Sequence, residues 1–136
     1  MKYKIFVYGT LRRGFHNHHL MSEAKHICDG RTTDNMRLVV HRSHGIPFTW
    51  KDEGGKPLRG ELYDIDEKYL MPIHYMEVSA GYEAKWLPII LDNGETTRAI
   101  VYLYPPQESL FCMDVENCDY SVFRSRKAWG WSFPVK

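Results

Sequence analysis

Two features of the chain carry chemistry, a carboxylate in apolar surroundings and a glycine turn at the end of a strand. Glu77 stands in Ile73-His74-Tyr75-Met76-Glu77-Val78-Ser79-Ala80-Gly81-Tyr82, where large apolar and aromatic neighbours would strip water from it. Losing water disfavours the charged form, raises the pKa toward neutrality and makes the group useful as a general base. The competing reading is a solvated acid at a helix end, the ordinary fate of a glutamate. At the start of the chain, Ile5-Phe6-Val7-Tyr8-Gly9-Thr10-Leu11 runs as an apolar β-type segment into Arg12-Arg13-Gly14. A strand that ends in Tyr-Gly-Thr bares backbone N–H groups, because Gly9 has no side chain to shield them and tolerates backbone angles closed to other residues. Such donors can hold a carboxylate, although most strand–glycine junctions are only structural.

The other reactive side chains are less suggestive. His16, His18, His19 and His26 cluster locally, but their spacing matches no standard metal site and no acid or thiol completes one. No metal is expected there. Cys28, Cys112 and Cys118 are odd in number and lack a Cys-x-x-Cys pair, so reduced thiols are the default, with a Cys112–Cys118 pairing open on oxidation. Arg12 and Arg13 could draw in an anion, yet paired arginines in a loop are usually solvated. Tyr82 and Tyr102 could wall a pocket and offer hydroxyl groups, or simply pack in the core.

The 136 residues suffice for one domain, expected over 1–136, and are too few for two independent cores. With 43% hydrophobic and 26% charged residues and a net charge of +1, the composition is that of a soluble globular protein. It gives no reason to propose a nucleic-acid or membrane partner. No basic region precedes an apolar run of signal length, and no stretch nears the ~20 apolar residues of a membrane span, so a cytoplasmic location is expected.

The elements that must position Glu77 and the Gly9 turn are mostly short strands. Asn17–Ala24 reads as a short helix, Asp29-Gly30 as a turn, Met36–Val40 as a strand, and Ser43–Trp50 as a loop punctuated by Gly45 and Pro47. After a turn at Asp52–Pro57, Leu58–Ile65 fits a half-buried strand. Asp66 is then a candidate N-cap for a helix over Tyr69–Met76, interrupted or restarted near Pro72, with Glu77 just beyond it. Trp86–Leu91 and Arg98–Tyr104 flank Asp92-Asn93-Gly94-Glu95 as a hairpin. Together these give an α+β fold, a sheet curled into a small barrel with one or two flanking helices. The tail Ala128-Trp129-Gly130-Trp131-Ser132-Phe133-Pro134 is dense in aromatics and is expected to pack back onto the domain, with a partner or second subunit as the alternative.

These residues resemble a known family. Phe6-Val7-Tyr8-Gly9-Thr10-Leu11-Arg12-Arg13-Gly14, followed by Asn17-His18 and Leu20, is similar to the opening of the γ-glutamylcyclotransferase-like superfamily, most of all its γ-glutamylamine cyclotransferase branch. Gly45-Ile46-Pro47 resembles that family's Gly-x-Pro loop, and Gly60-Glu61-Leu62-Tyr63-Asp64-Ile65-Asp66-Glu67 its strand and helix start. Glu77 with Tyr82 resembles its acidic residue followed by an aromatic, and Ala99-Ile100-Val101-Tyr102 its late strand. The resemblance covers residues 4 to about 104. The chain departs from the pattern at Ile73-His74, where Leu-Asp is usual, and at Val78, where Gly is common.

The resemblance implies a small mixed β-barrel and a cofactor-independent enzyme acting on a small γ-glutamyl substrate. The substrate's own α-amine attacks its γ-carbonyl, releasing 5-oxoproline and a free amine or amino acid. It also implies Glu77 as the general acid/base, with Tyr8, Gly9, Thr10, Leu11, Tyr82 and Tyr102 as substrate-binding residues. The alternative is a binding module that keeps the pocket without turnover, since fold and chemistry can separate. An acyl transfer to an external amine or water is a third reading, distinguished by its product. Whether the chain forms a homo-oligomer is left open.

Overall fold

A computed structural model describes residues 1–126, with seven strands, one α-helix and three short 3₁₀ turns among them. The strands are β1 (Lys2–Val7), β2 (Lys25–His41), β3 (Pro47–Lys51), β4 (Lys56–Asp66), β5 (Glu83–Leu91), β6 (Thr96–Leu103) and β7 (Cys112–Asp114). The helix, α1, spans Glu67–Ser79. The aromatic tail from Ala128 onward lies outside the described residues.

Five strands close a mixed barrel in the order β2-β4-β1-β6-β5, with β5 pairing back to β2. The pairings are antiparallel except β1 with β6, where Ile5 sits beside Ile100. Phe6 and Tyr8 face the packed interior with Leu58, Leu62 and Leu87. Ile5 and Val7, one residue out of phase, face a second cluster with Ile65, Ile100, Leu70 and Ile73 of α1. The opening strand is therefore apolar at every position from Ile5 to Val7 because both of its faces are covered.

Several expectations are corrected. The long strand β2 absorbs the expected Asp29-Gly30 turn: Gly30 pairs with Gly60 on one side and Leu91 on the other. Its C-terminal half carries β3 and β7 outside the barrel. The expected loop Ser43–Trp50 yields β3 instead, which tolerates Pro47 because that residue opens an edge strand and needs no ladder N–H. Asn17–Ala24 holds only a 3₁₀ turn over His18–Met21, so one α-helix flanks the barrel.

Helix α1 is continuous through Pro72, whose side chain is exposed, so that Glu77 lies within its last turn. Asp66 caps it, its carboxylate accepting from the Lys68 N–H at 3.2 Å. Leu70 and Ile73 form its buried stripe, and Glu77, four residues after Ile73, occupies the next position on that face. The C-terminus closes as a Schellman motif: the Tyr82 N–H donates to the Glu77 carbonyl (2.9 Å) and the Gly81 N–H to the Val78 carbonyl (3.0 Å). Gly81 has φ +102°, and a Cβ there would stand 2.8 Å from the Tyr104 ring. Gly81→Ala is expected to cost about 1–2 kcal/mol and to shift the Tyr82 and Tyr104 rings. Thermal or urea unfolding measures this, and an unchanged midpoint would contradict it.

Candidate active site

A cavity of about 480 Å³ brings together the residues expected to bind substrate and to move protons: the Tyr8–Leu11 turn, Glu77, Tyr82 and Tyr102. The turn follows β1 directly. It is folded by a bond from the Arg12 N–H to the Gly9 carbonyl (3.0 Å) and from the Asn17 N–H to the Thr10 carbonyl (3.1 Å). The Asn17 side-chain amide also donates to the Thr10 hydroxyl at 3.0 Å, and His18 Nδ1 lies 2.8 Å from the Leu11 carbonyl. The carbonyls of this turn are thus engaged inward, whereas the N–H groups of Gly9, Thr10 and Leu11 make no hydrogen bond among the described residues. Successive free N–H groups on a cavity wall form a site for a carboxylate.

Gly9 is required for a reason other than the one expected. Its φ is not in the left-handed region; instead a Cβ there would stand 2.6 Å from Cγ of Pro47. Pro47 in turn accepts a 2.6 Å hydrogen bond from the Tyr82 hydroxyl on its carbonyl. One proline therefore seats the turn on one side and the end of α1 on the other. Gly9→Ala is expected to push Pro47 and the turn apart and to raise KM for any ligand held by the turn at least tenfold, with the fold retained. Steady-state kinetics with a circular dichroism control tests this, and an unchanged KM would count against it.

The Glu77 side chain is half-buried and makes no hydrogen bond or ion pair among the described residues. Burial pushes its pKa up to about 7 because no cation or donor offsets the lost water. Burial also raises the phenols around it. Tyr102 is pushed up to about 12, first by burial and then by the Glu77 charge. Tyr8 and Tyr82 are raised well above the usual phenol value, with burial the largest cause and the Glu77 charge contributing to both. These tyrosines are neutral walls whose hydroxyls are already engaged. Tyr8 donates to the Tyr102 carbonyl at 2.6 Å, and the Tyr102 hydroxyl lies 2.8 Å from His74 Nδ1. His74, which departs from the family's usual aspartate, thus fixes a cavity wall.

Of the two arginines expected to be solvated, Arg13 is exposed and Arg12 is not. Arg12 is 5% exposed and pairs with Glu61 (3.3 Å) and Asp119 (2.9 Å). Glu61 on β4 is fully buried. It also accepts from the Arg13 N–H at 3.1 Å and the Tyr63 hydroxyl at 3.0 Å, with the Arg13 guanidinium 3.3 Å away. This buried network clamps the far end of the turn to the barrel wall. Sequence reasoning assigned no role to Glu61 or Pro47. Glu61 shares its face of β4 with Tyr63 and Ile65, and a charge in that otherwise apolar alternation is the signal that could have found the clamp. Among the described residues, no group of three His, Cys, Asp or Glu side chains is placed to hold a metal ion, and the cysteines are free. No helix among them is long and apolar enough to cross a membrane.

Comparison with known proteins identifies the family of this fold. The family model described as Gamma-glutamyl cyclotransferase, AIG2-like, matches residues 5–122. A Methanocaldococcus jannaschii protein, provisionally named as a gamma-glutamylcyclotransferase, is 36% identical over 122 residues, spanning 88% of this chain and 97% of its own. Gamma-glutamylaminecyclotransferase C of Danio rerio is 33% identical over 103 residues, covering 69% of this chain and 68% of its own. The crystal structure of an AIG2-like protein from Mus musculus superposes with a TM-score of 0.73 at 29% identity, covering 85% of this chain and 86% of that one. The match over most of the chain, on a barrel of the same fold, makes the chain a cyclotransferase-type enzyme of the AIG2-like gamma-glutamyl cyclotransferase family.

Proposed function

We propose that this enzyme cleaves γ-glutamyl amides by intramolecular cyclisation, releasing 5-oxoproline and a free amine, with Glu77 moving the protons. The observation that carries this reading is a carboxyl group with its pKa near 7, lacking a partner, in the same cavity as the unpaired N–H groups of Gly9, Thr10 and Leu11. The turn binds the substrate's α-carboxylate through those N–H groups. That anchorage holds the glutamyl chain folded, so the α-nitrogen approaches the γ-carbonyl carbon without the entropic cost of a bimolecular encounter.

The chemistry balances on one carboxylate. The substrate's α-ammonium gives a proton to Glu77, and the freed lone pair forms the new C–N bond as the γ-carbonyl becomes a tetrahedral oxyanion. The attacking nitrogen sheds its second surplus proton as the oxyanion collapses and the amide C–N bond breaks. The departing nitrogen collects both protons and leaves as an ammonium, and Glu77 ends as it began. A base with a pKa near 7 accepts and returns protons at neutral pH more evenly than an ordinary glutamate.

The test is product analysis of the purified protein with a γ-glutamyl amide. Stoichiometric 5-oxoproline with the free amine is the expected result. Free glutamate in place of 5-oxoproline would mean that water, and not the α-amine, is the nucleophile, and would overturn the proposal.

A further inference from the structure

The cavity divides by exposure into a floor and a rim. Its floor is the buried end of β1 with Tyr8, Leu11, Pro47 and Tyr102. Its rim consists of the exposed residues His16, Ser43, His44, Ile46, Met76 and Ala80. If the glutamyl group is anchored at the turn and cleaved beside Glu77, the departing amine lies against the rim. That rim carries no Lys, Arg, Asp or Glu: Glu77 is the single residue of those four types on the cavity wall among the described residues.

His44 on the rim is held in place by its neighbours. His44 Nδ1 accepts from the Ile46 N–H at 3.3 Å, and its ring stacks on His41 with centroids 3.9 Å apart. Burial and the neighbouring His41 both lower the pKa of His44 and so disfavour its charged form. Ile46 and Met76, 42% and 38% exposed, are apolar surface without a cover among the described residues.

Building on the proposed cyclotransferase reading, we infer that the leaving group this enzyme prefers is an uncharged apolar amine, such as an alkyl- or arylamine, and not a diamine, polyamine or amino acid. An apolar chain covers Ile46 and Met76 and gains from leaving water. A second ammonium finds no carboxylate at the rim and loses part of its hydration there. It would also favour the charged form of Glu77 and so weaken it as a proton acceptor.

The test uses three probes of matched length: γ-glutamyl-n-pentylamide, γ-glutamyl-putrescine, and γ-glutamyl-γ-aminobutyrate. They end in a methyl, an ammonium and a carboxylate respectively. kcat/KM for 5-oxoproline release is expected to be at least tenfold higher for the pentylamide than for either charged probe. Ile46→Glu, and separately Ser43→Asp, are expected to raise putrescine relative to pentylamide at least tenfold. Equal or faster turnover of the putrescine or aminobutyrate probe by the wild-type enzyme would overturn the inference while leaving the cyclotransferase reading intact. Absence of 5-oxoproline from all three would overturn both. The wild-type comparison decides the matter even where a rim variant fails to fold.

Discussion

Glu77→Gln is expected to lower kcat for 5-oxoproline release about a hundredfold or more, since general-base catalysis contributes about 10²–10⁴. Glutamine keeps the shape and the half-buried position of the side chain but cannot take a proton from the substrate's ammonium. KM should change little, because the α-carboxylate is held by the turn and not by Glu77. The same variant should be more stable than wild type above neutrality. A carboxyl raised from 4.5 to about 7 in the folded protein contributes stability that is fully present below the unfolded value and is lost as pH rises through the folded one. The wild type therefore carries a penalty of at most about 3 kcal/mol at about pH 8 that Glu77→Gln lacks, and the gap should close toward about pH 4. Urea unfolding at the two pH values measures it. A variant less stable than wild type at high pH would show that Glu77 makes a partnership in the folded state that the geometry does not contain.

The second large effect belongs to Glu61. Glu61→Ala is expected to destabilise the fold by about 3–5 kcal/mol, because Arg12 would remain buried with one of its two carboxylate partners gone. The turn would also lose its bond from the Arg13 N–H, so KM should rise in whatever protein remains folded. Glu61→Gln, which keeps an acceptor oxygen for that N–H, should recover part of the KM effect but less of the stability. A loss under about 1 kcal/mol for Glu61→Ala would mean that solvent or Asp119 compensates Arg12, and that the clamp contributes little.

The candidate site and the elements that carry it were largely legible in the sequence, and for physical reasons. β1 shows itself through an apolar run, the β5–β6 hairpin through Asp92-Asn93-Gly94, and α1 through the Asp66 cap. Glu77 stands out as a carboxylate among large apolar and aromatic neighbours, although it reads as lying just beyond a helix that runs on to Ser79. What was not legible depends on contacts distant in sequence. The N-terminal half of β2 is polar enough to read as turn and loop, and only its pairing with β4 and β5 makes it a strand. Pro47 reads as a breaker, yet its position at an edge lets it open β3. The need for a glycine at position 9 was visible, but its cause, the approach of Pro47, was not. Arg12 reads as a surface residue because its two partners lie 49 and 107 positions away.

The most direct test of the account is the pH dependence of kcat/KM for 5-oxoproline release from a γ-glutamyl amide. The rate is expected to rise with pH about tenfold per unit through the acid range and to level off with a midpoint near 7, and this limb should be absent from the residual activity of Glu77→Gln. A wild-type profile that is flat between about pH 5.5 and 8, or a Glu77→Gln profile that keeps the same limb, would contradict the claim that Glu77 is the group that moves the protons.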